Sequence, residues 1–188
     1  WYVKNLKHMI DKYSGLEYDS FEVIRDEKYE AWFNKLQMFD KFRDGQNLYF
    51  DLDLVIKGPV PDLLRKDFTL CHAWWRTPDH TPLNSSIISW QGDQSHIYKK
   101  FMKDPEYYML KYNRGIDQFL YENIEYKTYD KVCYSIKGKE YDKEDTNSKG
   151  DFAFLISAFV SVSVLLFTNS FSNINNLKLN NISFCLSS

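Results

Sequence analysis

Cysteine is scarce in this 188-residue chain: there are three, Cys71, Cys133 and Cys185, odd in number and far apart. That excludes a disulfide framework and any zinc-ligand spacing, and points to a reducing, cytoplasmic compartment. An excess of one charge is also missing, with 24 basic against 26 acidic residues and a net charge of -2. Nucleic-acid binders carry a basic surplus, so no nucleic-acid partner is expected. Histidine is limited to His8, His72, His80 and His96. Residues 1–8 are basic but lack the apolar core of a signal peptide. The apolar stretch from Phe152 to Phe167 falls short of the ~20 residues that span a bilayer. Aromatic residues, in contrast, are plentiful at 18%. They suit a packed core or stacking surfaces for sugars or a base, and composition does not choose between the two.

The length is enough for one domain with a real core. Val3, Leu6, Met9 and Ile10 recur at helical spacing over residues 1–13, and Gly15 ends that helix. A strand is predicted over 17–24 and a helix over 29–42, closed by Gly45. Asp62 is expected to cap a short helix after the Gly58-Pro59 turn. Strands follow at 68–75 and 87–90. His80 lies in the loop between them, and an exposed loop residue is its expected role. A helix is expected from His96 to Met102. Asp104-Pro105-Glu106 reads as an N-cap, a first helical position and a first-turn acid. Another helix opens at Gly115, and a strand follows over 127–136. The segment 1–150 reads as one domain. From 151 to 188 the chain is first apolar, then rich in Asn and Ser, with Lys178 the one charge after Phe167. Three readings of that tail stay open: an interfacial membrane segment through 152–167, a buried strand pair, or sequence that is not native coding.

Asn47 to Ile56 is the stretch around which the rest is organised. Tyr49, Phe50, Leu52, Leu54, Val55 and Ile56 make a nearly unbroken apolar run, interrupted by Asp51 and Asp53. A short run of this kind predicts a strand buried on both faces of a parallel sheet. Unpartnered buried charge is costly, so the two acids need a reason. Either they reach solvent at the strand's end, or they share a divalent cation. Hard carboxylate oxygens suit Mg2+ or Mn2+.

The run belongs to an ordered set of motifs. Trp32-x-x-Lys35-Leu36-x-x-Phe39 precedes Tyr49-x-Asp51-x-Asp53; Asn84-Ser85-Ser86 and Gly115-x-Asp117-Gln118 follow. Together they resemble the GT-A nucleotide-sugar glycosyltransferases, closest to the glycogenin- and galactosyltransferase-like group and related bacterial and viral capsule enzymes. The resemblance covers about Trp32 to Ile124. It implies an α/β, Rossmann-like fold with a mixed, mostly parallel sheet flanked by helices. It implies a nucleoside-diphosphate-sugar donor, most readily a UDP-sugar, and a glycan or other hydroxyl acceptor. Asp51 and Asp53 would then hold Mn2+ or Mg2+, and Lys35, Asp51, Asn84 and Ser85 would contact the donor. Asp117 and Gln118 would line the reaction centre, with Asp117 as the base if the reaction inverts.

Two features depart from the pattern. The strand expected before the first helix, which helps to hold the base, is absent from the sequence. So is the histidine that supplies a third metal ligand near the C-terminus of the glycogenin-like group, since none follows His96. Slow turnover is therefore expected, and a decayed transferase fragment acting as a binding module is the main alternative. A second alternative is a haloacid-dehalogenase-type phosphatase, which carries an Asp-x-Asp-x-[Thr/Val] run like Asp51 to Val55. The later acid pair that such enzymes need is not matched by Asp93 and Asp117.

Overall fold

A computed structural model describes residues 1–24, 28–56, 58–73, 76 and 80–129, with backbone alone at 31, 133–135, 153–155, 162–168 and 181–186. The chain opens with helix α1 (Tyr2–Tyr13), which buries Leu6 and Ile10 as its periodicity predicts. The Ser14 hydroxyl donates to the Ile10 carbonyl at 2.7 Å, and Gly15 turns the chain at φ 66°. Strand β1 (Ser20–Val23) follows.

The predicted helix over 29–42 is instead a 3-10 segment, Ala31–Gln37, running into a single α-turn, α2 (Met38–Lys41). Every residue from Phe33 to Phe39 is buried. The segment is thus enclosed on all sides and has no free polar face, which the apolar spacing of Trp32, Leu36 and Phe39 did not reveal.

Strand β2 (Gln46–Asp51) ends at Asp51; Leu52 and Asp53 form a turn, and β3 (Leu54–Ile56) leaves in another sheet. A 3-10 turn (Pro61–Leu63) comes next, with Val60 rather than Asp62 at its cap position and no side-chain cap bond. Pro61 occupies its first turn, so Asp62 already lies inside it. Then come β4 (Thr69–His72), β5 (Leu83–Gln91), α3 (Ser95–Phe101), α4 (Pro105–Lys111) and α5 (Ile116–Asn123). Asp104 caps α4 as expected, its carboxylate accepting from the Tyr107 N–H at 3.0 Å. Strands β6 (Lys127–Tyr129), β7 (Cys133–Ser135), β8 (Ala153–Leu155), β9 (Val162–Thr168) and β10 (Asn181–Leu186) complete the set.

The fold is mixed α/β. Its sheet runs β2-β5-β4-β6, with β2–β5 and β5–β4 antiparallel and β4–β6 parallel. This corrects the expectation of a mostly parallel sheet. Strand β2 is indeed buried on both faces, from Gln46 through Phe50. The cause is a layer on each side, not strand direction, and a central antiparallel strand between two layers shows the same run of apolar residues. On one face Leu48 and Phe50 pack with Leu6 and Ile10 of α1. On the other, Tyr49, Ile88 and Trp90 pack with Phe33, Phe39, Phe101 and Phe119.

Beyond β2, backbone pairing continues to β9, with Asp51 opposite Ser163, and β1 and β10 pair antiparallel with β9. Strands β3, β8 and β7 form the second sheet. No helix of the described residues is long and apolar enough to cross a membrane. Of the segment 152–167 considered for membrane contact, 152, 156–161 and every side chain lie outside the described residues.

Candidate functional site

The end of β2 is where charge enters the core. The Lys35 side chain is only 6% exposed and its ammonium lies 2.6 and 2.8 Å from the two oxygens of Asp51. Asp51 also accepts from the Tyr49 hydroxyl at 2.6 Å, and the Lys35 ammonium stands 5.4 Å from the centre of the Tyr49 ring. A lysine this buried needs a counter-charge, because the unpaired ion would lose several kcal/mol of solvation, on the order of the penalty for any buried charge. Asp51 supplies it, and Tyr49, on the same face two residues earlier, steadies it. Asp53 lies half-buried in the turn that follows.

Among the described residues no three His, Cys, Asp or Glu side chains converge as a ready metal cage. The donor set nevertheless suits a hard cation. Mg2+ and Mn2+ sites commonly use one or two carboxylates and complete their shell with waters and substrate phosphates. Asp51 and Asp53 would be those carboxylates.

A second cluster forms where the β4–β5 ladder breaks. Leu70 pairs with Ile88, but the next residue, Cys71, pairs with Asn84, so Ser85, Ser86 and Ile87 have no partner on β4. Interrupted ladders leave backbone groups that must bond elsewhere. The Ser85 N–H donates to Asp117 Oδ1 at 3.0 Å, and the Ser86 N–H donates to Asn84 Oδ1 at 3.0 Å. The other oxygen of Asp117 accepts from Arg76 Nη2 at 2.7 Å, while Arg76 Nη1 donates to the Leu83 carbonyl. Asp117 thus ties the first turn of α5 to the irregular start of β5. Sequence reasoning missed Arg76, whose only signal was a lone cation after two tryptophans. The resemblance had brought in Asn84, Ser85 and Asp117 as substrate contacts, and it did not show that they fasten one another.

The register joins the two clusters. Phe50 pairs with Ile87, so the next residues outward are Asp51 and Ser86. Asn84, Ser85 and Asp117 therefore gather at the sheet end that carries Asp51. Gln118 belongs to the same turn of α5, although its amide donates to Glu122 Oε1 at 2.8 Å. His80, Thr81, Arg114, Asp117 and Gln118 line a small open depression. His80 and Arg114 make no hydrogen bond or ion pair among the described residues.

Farther along α5, hydrogen bonds from Tyr112 and then Lys111 hold the Glu122 carboxyl below the usual range. The same partners, Tyr112 first and Glu122 second, push the Lys111 ammonium upward. Burial, then the Tyr29 hydroxyl at 2.8 Å, raises Tyr98 to about 12. These groups brace helices and lie outside the two clusters.

No family model, curated protein or solved structure matches the chain.

Proposed function

We propose that this chain is a GT-A-type, metal-dependent glycosyltransferase domain that takes a nucleoside-diphosphate sugar, most readily a UDP-sugar, as donor. One observation carries the reading. Four motifs spread between Trp32 and Gln118 meet at one end of one sheet, around a buried cation–carboxylate pair.

In this reading Asp51 and Asp53 would hold a divalent cation at the donor's diphosphate. Such a cation would supply Lewis-acid charge against the negative charge of the departing diphosphate. Lys35 adds fixed positive charge beside it, and such preorganised charge is worth most where water is excluded. Asn84 and Ser85 contact the donor, while Asp117 and Gln118 orient the sugar next to the depression. Both oxygens of Asp117 are engaged, yet a carboxylate has about four lone-pair sites, which leaves room for a hydroxyl. The acceptor is a glycan or another hydroxyl compound.

A thermal-shift screen tests this directly. Nucleoside diphosphates and sugar nucleotides should raise the melting temperature with Mn2+ present and have little effect without it. Stabilisation by phosphomonoesters alone would point instead to a phosphatase.

A further inference from the structure

Trp32 stands three residues before Lys35 in the 3-10 segment. Side chains at i and i+3 eclipse in such a helix, so the two leave it on the same side. They then part. Lys35 is buried against Asp51, whereas Trp32, for all its apolar area, is 44% exposed.

Its setting shows which part of the ring is open. A Cβ placed on Gly115 would lie 3.6 Å from both Cγ and Cδ2 of Trp32 and 3.8 Å from Cε3. Cδ2 is bonded to the other two atoms. A contact as near to Cδ2 as to its neighbours comes through the face of the indole and not its edge. Gly115 holds φ 109°, a conformation that side chains rarely adopt. One face of the indole is therefore seated on bare backbone, and the opposite face is the one left for a ligand.

A ring seated this way is fixed before anything binds, so a ligand need not order it. Its apolar face is next to polar groups. Gly115 caps α5, whose first turn carries Asp117 and Gln118, and these line the depression with Thr81 and Arg114. An apolar face beside hydroxyl-binding groups matches a sugar, whose ring has an apolar C–H face and polar edges.

We propose that the open face of Trp32 is the stacking platform for a pyranose ring of the substrate, with the first turn of α5 providing the polar partners. The proposal rests on the transferase reading for the identity of the substrate, but the contact itself can be tested without a nucleotide.

Two measurements decide it. In the first, free methyl pyranosides are titrated while the indole N–H resonance of Trp32 is followed, assigned by its loss in Trp32→Phe. At least one sugar should shift that resonance, and a panel that leaves it unmoved overturns the proposal. In the second, calorimetry compares UDP with UDP-sugars in the presence of Mn2+. Trp32→Ala should weaken the sugar nucleotide about tenfold, roughly 1.4 kcal/mol, leave UDP unchanged, and be largely rescued by Trp32→Tyr. Equal weakening of UDP and UDP-sugar would overturn it in favour of a base platform. Failure of the wild type to bind either nucleotide would count against the transferase reading, and the free-sugar titration would still decide the platform.

Discussion

Asp51 and Asp117 each meet a cation at the same end of the sheet, but the two pairs do different work. Asp117 is held by Arg76 on one oxygen and by the Ser85 N–H on the other, and so closes a gap in a strand ladder. Asp51 is held by a lysine and a tyrosine hydroxyl, both side chains on the same face of the sheet. No backbone group depends on it through these bonds. A carboxylate that completes the backbone is fixed by the fold. One held by a lysine ammonium and a tyrosine hydroxyl can share its charge with an arriving cation. Asp117 is thus tied into the architecture, while the binding role of Asp51 belongs to the proposed function.

The largest effect should therefore come from Asp117→Ala. It leaves Arg76 Nη2 and the Ser85 N–H without their acceptor in a site where both ionic side chains are at most 20% exposed. Urea unfolding should show a loss of about 3 kcal/mol, in line with other broken partly buried pairs. Asp117→Asn keeps an acceptor for Ser85 and should lose clearly less. Equal losses would mean that charge, and not the ladder, is what matters there.

Lys35→Met should cost about 2 kcal/mol, because Asp51 loses its counter-charge while the apolar stem is largely replaced. This loss, unlike that of Asp117→Ala, should shrink when Mn2+ is added, since the cation binds the folded form and takes over the lysine's electrostatic role. If Mn2+ stabilises the wild type and Lys35→Met equally, Asp51 is not a shared ligand.

Asp104→Ala calibrates both. It removes a single exposed cap bond to the Tyr107 N–H, and about 1 kcal/mol should be lost with no dependence on metal.

The smallest effect concerns pH. Glu122 is held below its ordinary value, so the folded state binds its proton less readily than the unfolded chain. Its contribution is complete above the unfolded carboxylate range, near pH 4.5, and fades as pH falls through the folded value. Glu122→Gln should lower stability slightly at pH 6, change it little at pH 3, and so flatten the acid limb. Denaturation midpoints at pH 6 and pH 3 measure this.

The sequence showed much of the site but less of the sheet. Helix α1, the Asp104 cap and the Gly115 start of α5 were legible because local spacing and terminal residues specify them. The run through Tyr49 and Phe50 correctly indicated burial on both faces. It could not give strand direction, since burial on two faces comes from layers that sequence periodicity does not see. Nor could it show that the chain turns at Leu52-Asp53 and passes to a second sheet. The unbroken apolar pattern hid the turn, because Leu52 and Leu54 are buried on either side of it. Arg76 was illegible for a related reason: its role arises only when β5 loses its register with β4, a tertiary event. Asp117 was chosen by resemblance, and its hold on Ser85 emerged only from the coordinates.

The central claim is that Asp51 and Asp53 hold a divalent cation at the end of β2. Calorimetric titration of Mn2+ into the wild type and into Asp53→Asn tests it most directly, with Asp104→Ala as the control. The account predicts saturable binding by the wild type and the control, and loss of that binding in Asp53→Asn. Equal binding by all three proteins, or none by the wild type with UDP present, would contradict it.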